Sequence, residues 1–477
     1  MRIQAWSLVL ISIFSFGRGS AGDLFTAPPP DGRLSLDEAM RLALAHNEAI
    51  RRAQLAQEAA ELQLGVVRAD FSPLVNVSAS AREAGTRSRD VFSIAGQTFG
   101  SGRIVEDTEY DQQLAPVLSK RWTSGLSTSL SGSVGYNSDS DVPSVVEWRA
   151  DYPLSGKERA RIRERVDNAR LLAEQQANAA VVSQEDIRLA VISAYYAVIQ
   201  ASEQAGIVID FLRQSRSILD YNESMLSGGF VASLQVDESR IEVQRRQADL
   251  LTTEDQVAAR REALNVLVGL PVDASYVLVE DLRLTENTKS LEQWIAETLA
   301  ANLNLSNLDK SLAMQLNSLE VTRRLDNADV QLGASARRTE DGDETLMLEL
   351  TLFWPLYDGG VKRMLTESAY KDIQSNRLAR WNLERQLVAA VRDDYRRLSS
   401  EWSRAAILQQ SVALAERNID IARENYEAGR LPYRNFVDIQ LDLANARDSL
   451  IASQVSYKVA LARLSSRVHP SPWQTER

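Results

Sequence analysis

From Val361 to Ala428 the chain runs for 68 residues without a glycine or a proline, although it holds 22 glycines and 12 prolines elsewhere. Along this stretch Leu387, Val391, Tyr395, Leu398, Trp402, Ala405, Leu408, Val412, Ala415, Ile419, Ala422 and Tyr426 step by three and four, averaging close to 3.5 residues. That period predicts a coiled-coil seam on one very long helix. At 1.5 Å per residue, roughly 70 residues span about 105 Å.

The pattern occurs twice. An offset of 200 carries Val191, Tyr195, Gly229, Leu250 and Leu264 onto Val391, Tyr395, Gly429, Leu450 and Leu464. An offset of 255 carries Leu36, Asn47, Arg68, Val75 and Ala79 onto Leu291, Asn302, Arg323, Val330 and Ala334. The first-half seam keeps Ile187, Val191, Tyr195, Val198, Ala205, Val208, Leu212, Leu219 and Leu226 apolar, with Ser202, Ser215 and Asn222 polar. A duplication on this scale predicts a pseudo-symmetric protein of two repeats. Each long helix meets glycine, at Gly228-Gly229 and at Gly429, where a left-handed cap suits a chain reversal. Helical runs Gln235–Val268 and Asn435–Val468 follow. The runs Glu48–Asp70 and Leu303–Asn327 precede the β regions, so two half helices stacked end to end can flank each long helix.

Between half helix and long helix the period drops to two. Val146, Trp148, Ala150 and Tyr152 alternate with Glu147, Arg149 and Asp151. Leu346, Leu348, Leu350, Leu352 and Trp354 alternate with Met347, Glu349, Thr351 and Phe353. Leu126–Tyr136 alternates likewise, with serines on one face. Strands of about ten residues, apolar outward and polar inward with aromatics at their ends, suit a membrane β-barrel wall; on that pattern Glu147, Arg149 and Glu349 face a lumen. Too few strands are present for one chain to close a barrel, so several copies share it. The first half carries about 53 more residues than the second between its flanking prolines. They give four strands per chain with a long surface loop, or six if the insertion joins the wall.

The remaining composition excludes other chemistry. No cysteine is present, so disulfides, thiolate metal sites and thiol nucleophiles are excluded. Two histidines, His46 and His469, leave little material for a triad or a histidine metal site, and His46 is read as a surface residue. No phosphate-cradling loop or nucleophile motif appears, and the expectation is a non-enzyme without cofactor or metal. A net charge of −11 argues against nucleic acid as a partner. Met1, Arg2, the apolar run Ala5–Phe16 and the small residues Gly19–Gly22 are expected to be an export signal.

Taken together, these features resemble the TolC-like outer-membrane factor (outer membrane efflux protein) family. The local signatures are Leu34-Ser35-Leu36-Asp37-Glu38-Ala39 with Ala43-Leu44 and Asn47, then Trp354-Pro355-Leu356-Tyr357-Asp358-Gly359-Gly360, and Tyr426-x-x-Gly429. The cysteine-free chain is similar to the unlipidated branch. The resemblance implies a mainly α protein with a β-barrel portion: long coiled-coil helices forming a trimeric α-helical barrel, and a shared transmembrane β-barrel. The division it suggests is signal peptide 1–22, tail 23–33, first repeat 34–271 with an insertion at about 84–137, linker 272–289, second repeat 290–468 and tail 469–477.

It also implies a homotrimer in outer-membrane lipid, extending into the periplasm, where a periplasmic adaptor and an inner-membrane pump of RND, MFS or ABC type dock. The expected function is the outer-membrane channel of a tripartite efflux or type I secretion system. The alternative is a periplasmic coiled-coil scaffold or adaptor without a channel.

In the family the helix reversals carry the entrance gate and the adaptor contacts. Here the docking tips are Gly228, Gly229 and Phe230 in the first half, and Gly429 and Arg430 in the second. The gate positions are Asn435 and Asp438, with Asp237 and Glu238 at the related first-half tip, Tyr426 as a tyrosine bonding across neighbouring coils, and Arg430 as a partner for the acids. Asn435 stands where an acid is common, so one threefold acidic ring is kept and the other neutralised. The basic run Lys157, Arg159, Arg161, Arg163 and Arg165 is expected to be solvated, with anionic headgroups as the alternative contact.

Overall fold

A computed structural model describes residues 32–94, 97–137, 144–279, 282–325 and 327–468; the side chains of 83–111 and of residue 137 are not included in the description. The expected export signal at 1–22 and the tail at 469–477 lie outside the described residues. Among those described, no helix is long and apolar enough to cross a membrane. The chain divides into two compact units. One comprises residues up to Ala53 with Ala180–Asn302 and Gln386 onward; the other comprises Gln54–Ala179 and Leu303–Arg385.

The first unit is helical. Its long elements are the C-terminal part of α3 (Gly156–Ser227), α4 (Ser233–Val268), the C-terminal part of α7 (Val361–Glu427) and α8 (Tyr433–Val468). The repeat-related seams form its two principal cores. Val191, Tyr195, Val198, Leu264 and Val268 pack with Leu34 in one; Val391, Leu398, Leu464 and Val468 pack with Trp294 and Tyr457 in the other. A buried phenol needs an acceptor. The Tyr195 hydroxyl donates to the Leu34 carbonyl at 2.9 Å, and that of Tyr457 donates to the Thr285 carbonyl at 2.5 Å.

Two short helices were not anticipated as separate elements. α1 (Leu36–His46) starts on Ser35, whose hydroxyl accepts from the Glu38 amide. α5 (Leu291–Ala301) starts on Ser290 in a full capping box with Gln293, which satisfies two orphan donors reciprocally. Asn47 then ends α1: its carboxamide oxygen accepts from the Ala49 amide at 2.9 Å, opening α2 (Glu48–Ala69), while its nitrogen donates to the Leu267 carbonyl. A two-stranded parallel pair, β1 (Arg33–Ser35) with β6 (Val277–Val279), was also missed, because three residues are too few to show alternation. His46 is half-buried against Gly269 rather than on an open surface.

The second unit carries the sheet. Its six strands lie in the order β2 (Leu74–Ile94), β3 (Gln97–Arg121), β4 (Ser127–Asn137), β5 (Val145–Pro153), β7 (Asp329–Thr339) and β8 (Glu344–Phe353). All neighbours are antiparallel. The insertion therefore supplies strands and not only a loop: β2 and β3 form a long hairpin on the edge of the sheet. α2, α6 (Leu303–Arg323) and the N-terminal parts of α3 and α7 complete the unit. The basic run at the start of α3 is only partly solvated. Lys157 is buried and donates to the Leu325 carbonyl at 3.2 Å, while Arg161 pairs with Glu158 and Arg165 with Asp70.

Candidate functional site

In the helical unit both reversals close on glycine in the left-handed region, Gly229 at φ +73° and Gly429 at φ +68°. The Phe230 amide reaches back to the Met225 carbonyl and the Arg430 amide to the Asn425 carbonyl, at 2.9 and 2.8 Å. These are the six-to-one bonds of a Schellman cap. They satisfy helix-end carbonyls that would otherwise lack donors.

Beside the caps lies a buried polar network that joins both halves of the chain. The Tyr426 hydroxyl donates to Asn222 Oδ1 at 2.7 Å and accepts from Gln235 Nε2 at 3.1 Å. Asn222 Nδ2 donates to Ser239 Oγ at 2.6 Å, and Ser239 Oγ donates to the Gln235 carbonyl. Asn222 is fully buried and the Tyr426 ring stacks on Phe436 with centroids 5.2 Å apart. Tyr221 and Tyr433 flank it at about 6 Å. The bonding of Tyr426 thus runs from α7 to α3 and α4 within one chain.

Asn222 was visible in the sequence as a polar residue on an apolar seam, at the position where the other repeat has Ala422. Its partners Gln235 and Ser239 carried no comparable signal.

Burial raises the Tyr433 phenol to about 12, with the nearby charges of Glu242 and Glu238 adding to the rise and a hydrogen bond to Ser239 opposing it. Burial also raises the Tyr426 phenol, against its hydrogen bonds with Gln235 and Asn222. For a group whose folded pKa lies above its unfolded value near 10, the stabilisation is complete below pH 10 and is lost as pH rises through 12. The protection of amides over residues 218–240 and 419–440, taken against the intrinsic exchange rate at each pH, is therefore expected to hold to pH 10 and to fall between 10 and 12. Tyr433→Phe, which does not ionise, should reduce that fall.

The predicted gate carboxylates lie outside this network. Asp237, Glu238, Asn435 and Asp438 are all exposed. Asp237 lies 3.7 Å from Arg240, which pairs more closely with Glu223 at 2.8 Å. Within one chain Arg430 is exposed and forms no ion pair among the described residues. Phe230 folds its ring over Gly228, yet remains 80% exposed.

In the other unit, the strand register sorts the sheet into two faces. Ser127, Ser129 and Ser131 stand opposite Asp151, Arg149 and Glu147; these stand opposite Gly333, Ser335 and Arg337, and Gly333 stands opposite Glu349. Glu147, Arg149 and Glu349 therefore share one polar face, which also holds Asp151 and Arg337. Arg149 pairs with Asp151 at 2.9 Å. Gly333 leaves room between two carboxylates, since a Cβ there would sit 3.0 Å from Asp151 Oδ1. Asp151 shares the parity of Glu147 and was legible from it, whereas Arg337 needed the pairing of β5 with β7.

The opposite face is apolar and uncovered. Val75, Val77, Leu118, Leu130, Val134, Val146 and Trp148 lie on it with Leu346, Leu348, Leu350 and Leu352, and every one is exposed. Leu346 reaches 85% and Leu348 77%.

Residues 294–467 match the outer membrane efflux protein family. The protease secretion protein PrtF of Dickeya chrysanthemi is 23% identical over 296 residues, 59% of this chain and 63% of that relative's length. A membrane protein from Pseudomonas aeruginosa superposes with a TM-score of 0.69 at 17% identity, covering 91% of this chain and 90% of its own. The CmeC outer membrane channel of Campylobacter jejuni superposes at 0.66 with 14% identity, covering 91% and 85%. The part of the chain at residues 294–467 thus matches the outer membrane efflux protein family, and the chain shares its fold with these two solved proteins over 91% of its length.

Proposed function

We propose that the protein is the outer-membrane channel of an export system, three copies sharing one β-barrel and one helical conduit. The observation that carries this reading is the uncovered apolar face of the sheet. A soluble protein rarely leaves a contiguous apolar patch of this kind to water. Its height also fits a bilayer. From Leu126 to Tyr136, ten steps of about 3.3 Å at a tilt of about 40° give about 25 Å, the height of the apolar band on outer-membrane barrels. Trp122 and Trp354 stand at the helix side of the band and Tyr136 at its far side, all exposed, where aromatic girdles form.

Three six-stranded sheets would make an eighteen-stranded wall, within the range that leaves an aqueous channel. At about 4.8 Å between strands and the same tilt, its backbone diameter would be about 36 Å. Glu147, Arg149 and Glu349 then face the lumen. The tips at Gly228-Gly229-Phe230 and Gly429-Arg430 are the docking surface for a periplasmic adaptor, behind which an inner-membrane pump of RND, MFS or ABC type delivers cargo. PrtF serves protease secretion by its name, so exported polypeptide is one cargo class to test beside small molecules. Threefold repetition brings three copies of Asp438 together, with Asp237 and Glu238 at the first-half tip, and such carboxylate rings select cations. A coiled-coil scaffold or adaptor without a channel leaves the apolar sheet face unexplained.

Extraction from outer membranes as a heat-modifiable trimer that conducts in planar bilayers is expected, and a soluble dimer would refute the channel. Asp438→Ala should raise single-channel conductance and weaken block by multivalent cations. Unchanged conductance and block would remove Asp438 from the gate.

A further inference from the structure

At the helix-side rim of the sheet, the basic run at the start of α3 borders the turn that follows Lys120 of β3 and carries Trp122. Lys120 Nζ lies 3.8 Å from the centroid of the Trp122 ring. Trp122 opens the β3–β4 turn, where its amide bonds the Leu126 carbonyl and the Gly125 amide bonds the Trp122 carbonyl. A Cβ on Gly125 would sit 3.7 Å from Arg159 Cγ, so the Arg159 stem borders that turn. Arg163, one helical turn further along α3, falls on the same helix face. Both arginines are exposed.

Three of the acids nearby have other partners. Glu158 holds Arg121 at 2.9 Å and lies 3.8 Å from Arg161. Asp70 holds Arg165, and Glu164 accepts from the Ser318 hydroxyl. Among the described residues, Lys120, Arg159 and Arg163 have no carboxylate partner.

Strand parity places Lys120 on the apolar face with Leu118, at the end of the strand, and the Trp122 ring just beyond it lies against the Lys120 ammonium. Unneutralised cations and an exposed indole at the end of an apolar band are the side chains that a bilayer interface recruits. We propose that Lys120, Trp122, Arg159 and Arg163 seat the phosphate of an anionic glycerophospholipid in the leaflet on the helix side of the membrane. The inference rests on the barrel reading above. The phosphate takes the guanidinium and ammonium donors, the indole lies among the headgroups, and the acyl chains run along the Leu118 side of the wall. Each basic group near an anionic surface contributes about 1 kcal/mol, so three together give a preference on the order of a hundredfold at low salt.

The test is native mass spectrometry of the trimer released from nanodiscs of phosphatidylethanolamine with and without phosphatidylglycerol, run beside bilayer conductance. Wild type should retain phosphatidylglycerol selectively, and the preference should collapse at high salt. The triple variant Lys120→Gln/Arg159→Gln/Arg163→Gln should insert and conduct while losing at least tenfold of it. Trp122→Ala, with the charges kept, should lose less. A wild type that inserts and conducts without preference for phosphatidylglycerol overturns the headgroup seat and leaves the channel standing, as does a triple variant that keeps the full preference. Should the triple variant fail to assemble, persistence of the wild-type preference at high salt overturns the seat by itself. A wild type that neither inserts nor conducts overturns the barrel reading and this inference with it.

Discussion

Leu348→Arg is expected to abolish the outer-membrane trimer while Met347→Arg, one residue away, leaves it assembled. Leu348 stands near the middle of β8 on the apolar face, opposite Ala334, while Met347 shares the polar face with Ser335. In lipid, an arginine at the bilayer midplane costs about 2–4 kcal/mol, and every copy in the assembly would bear it. In water the same substitution at a side chain 77% exposed costs almost nothing. The contrast therefore separates a membrane wall from a soluble sheet. The readout is the heat-modifiable band in outer-membrane fractions, with ion selectivity of Met347→Arg measured in planar bilayers. If both variants assemble as wild type does, the wall reading fails.

Asn222→Leu should loosen the helix tips and leave the sheet unchanged. It leaves the Tyr426 hydroxyl without its acceptor and Ser239 without its donor, among side chains that are buried. Each buried polar group deprived of its partner costs about 1–3 kcal/mol. For the two groups together, local opening should become easier by about 2–6 kcal/mol, or roughly thirtyfold to ten-thousandfold faster amide exchange over 218–240 and 419–440. Tyr426→Phe keeps the ring on Phe436 but leaves the fully buried Asn222 Oδ1 without its donor, while the half-buried Gln235 can turn to water, and should accelerate exchange by roughly tenfold to a hundredfold. Unaltered protection in Asn222→Leu would show that apolar packing alone binds α3 and α4 to α7.

Much of this fold is legible because its signals are periodic and long. The run from Val361 to Ala428 became a helix at Val361–Glu427, and the matching half became Gly156–Ser227. The alternating segments became β4, β5 and β8 within about two residues of their expected ends. What escaped was short or arrhythmic. β1 and β6 have three residues each, and α1 and α5 are separated from the helices after them only by the Asn47 and Asn302 breaks. β2 and β3 were legible only as the six-strand alternative, for a different reason: their outer residues, rich in glycine, serine and charge, lack apolar alternation, and strand pairing follows backbone hydrogen bonding that composition does not report.

The candidate sites divide along the same line. Parity alone placed Glu147, Arg149 and Glu349 on one face, because side chains alternate with a period of two. The glycine caps were equally plain, because few other residues tolerate the left-handed backbone at Gly229 and Gly429. The Tyr426 network was not, since Asn222 and Tyr426 lie 204 positions apart and meet only when two coils pack. Nor was the fate of the basic run, where five similar cations divide into the buried Lys157, the paired Arg161 and Arg165, and the exposed Arg159 and Arg163. By itself the sequence determined the repeat, the helix and strand periods and the two faces of the sheet, all of which depend on neighbours along the chain. Only the tertiary structure decided the six-strand order, the network at the tips and which charges stay unneutralised, because those depend on distances between residues that the chain keeps far apart.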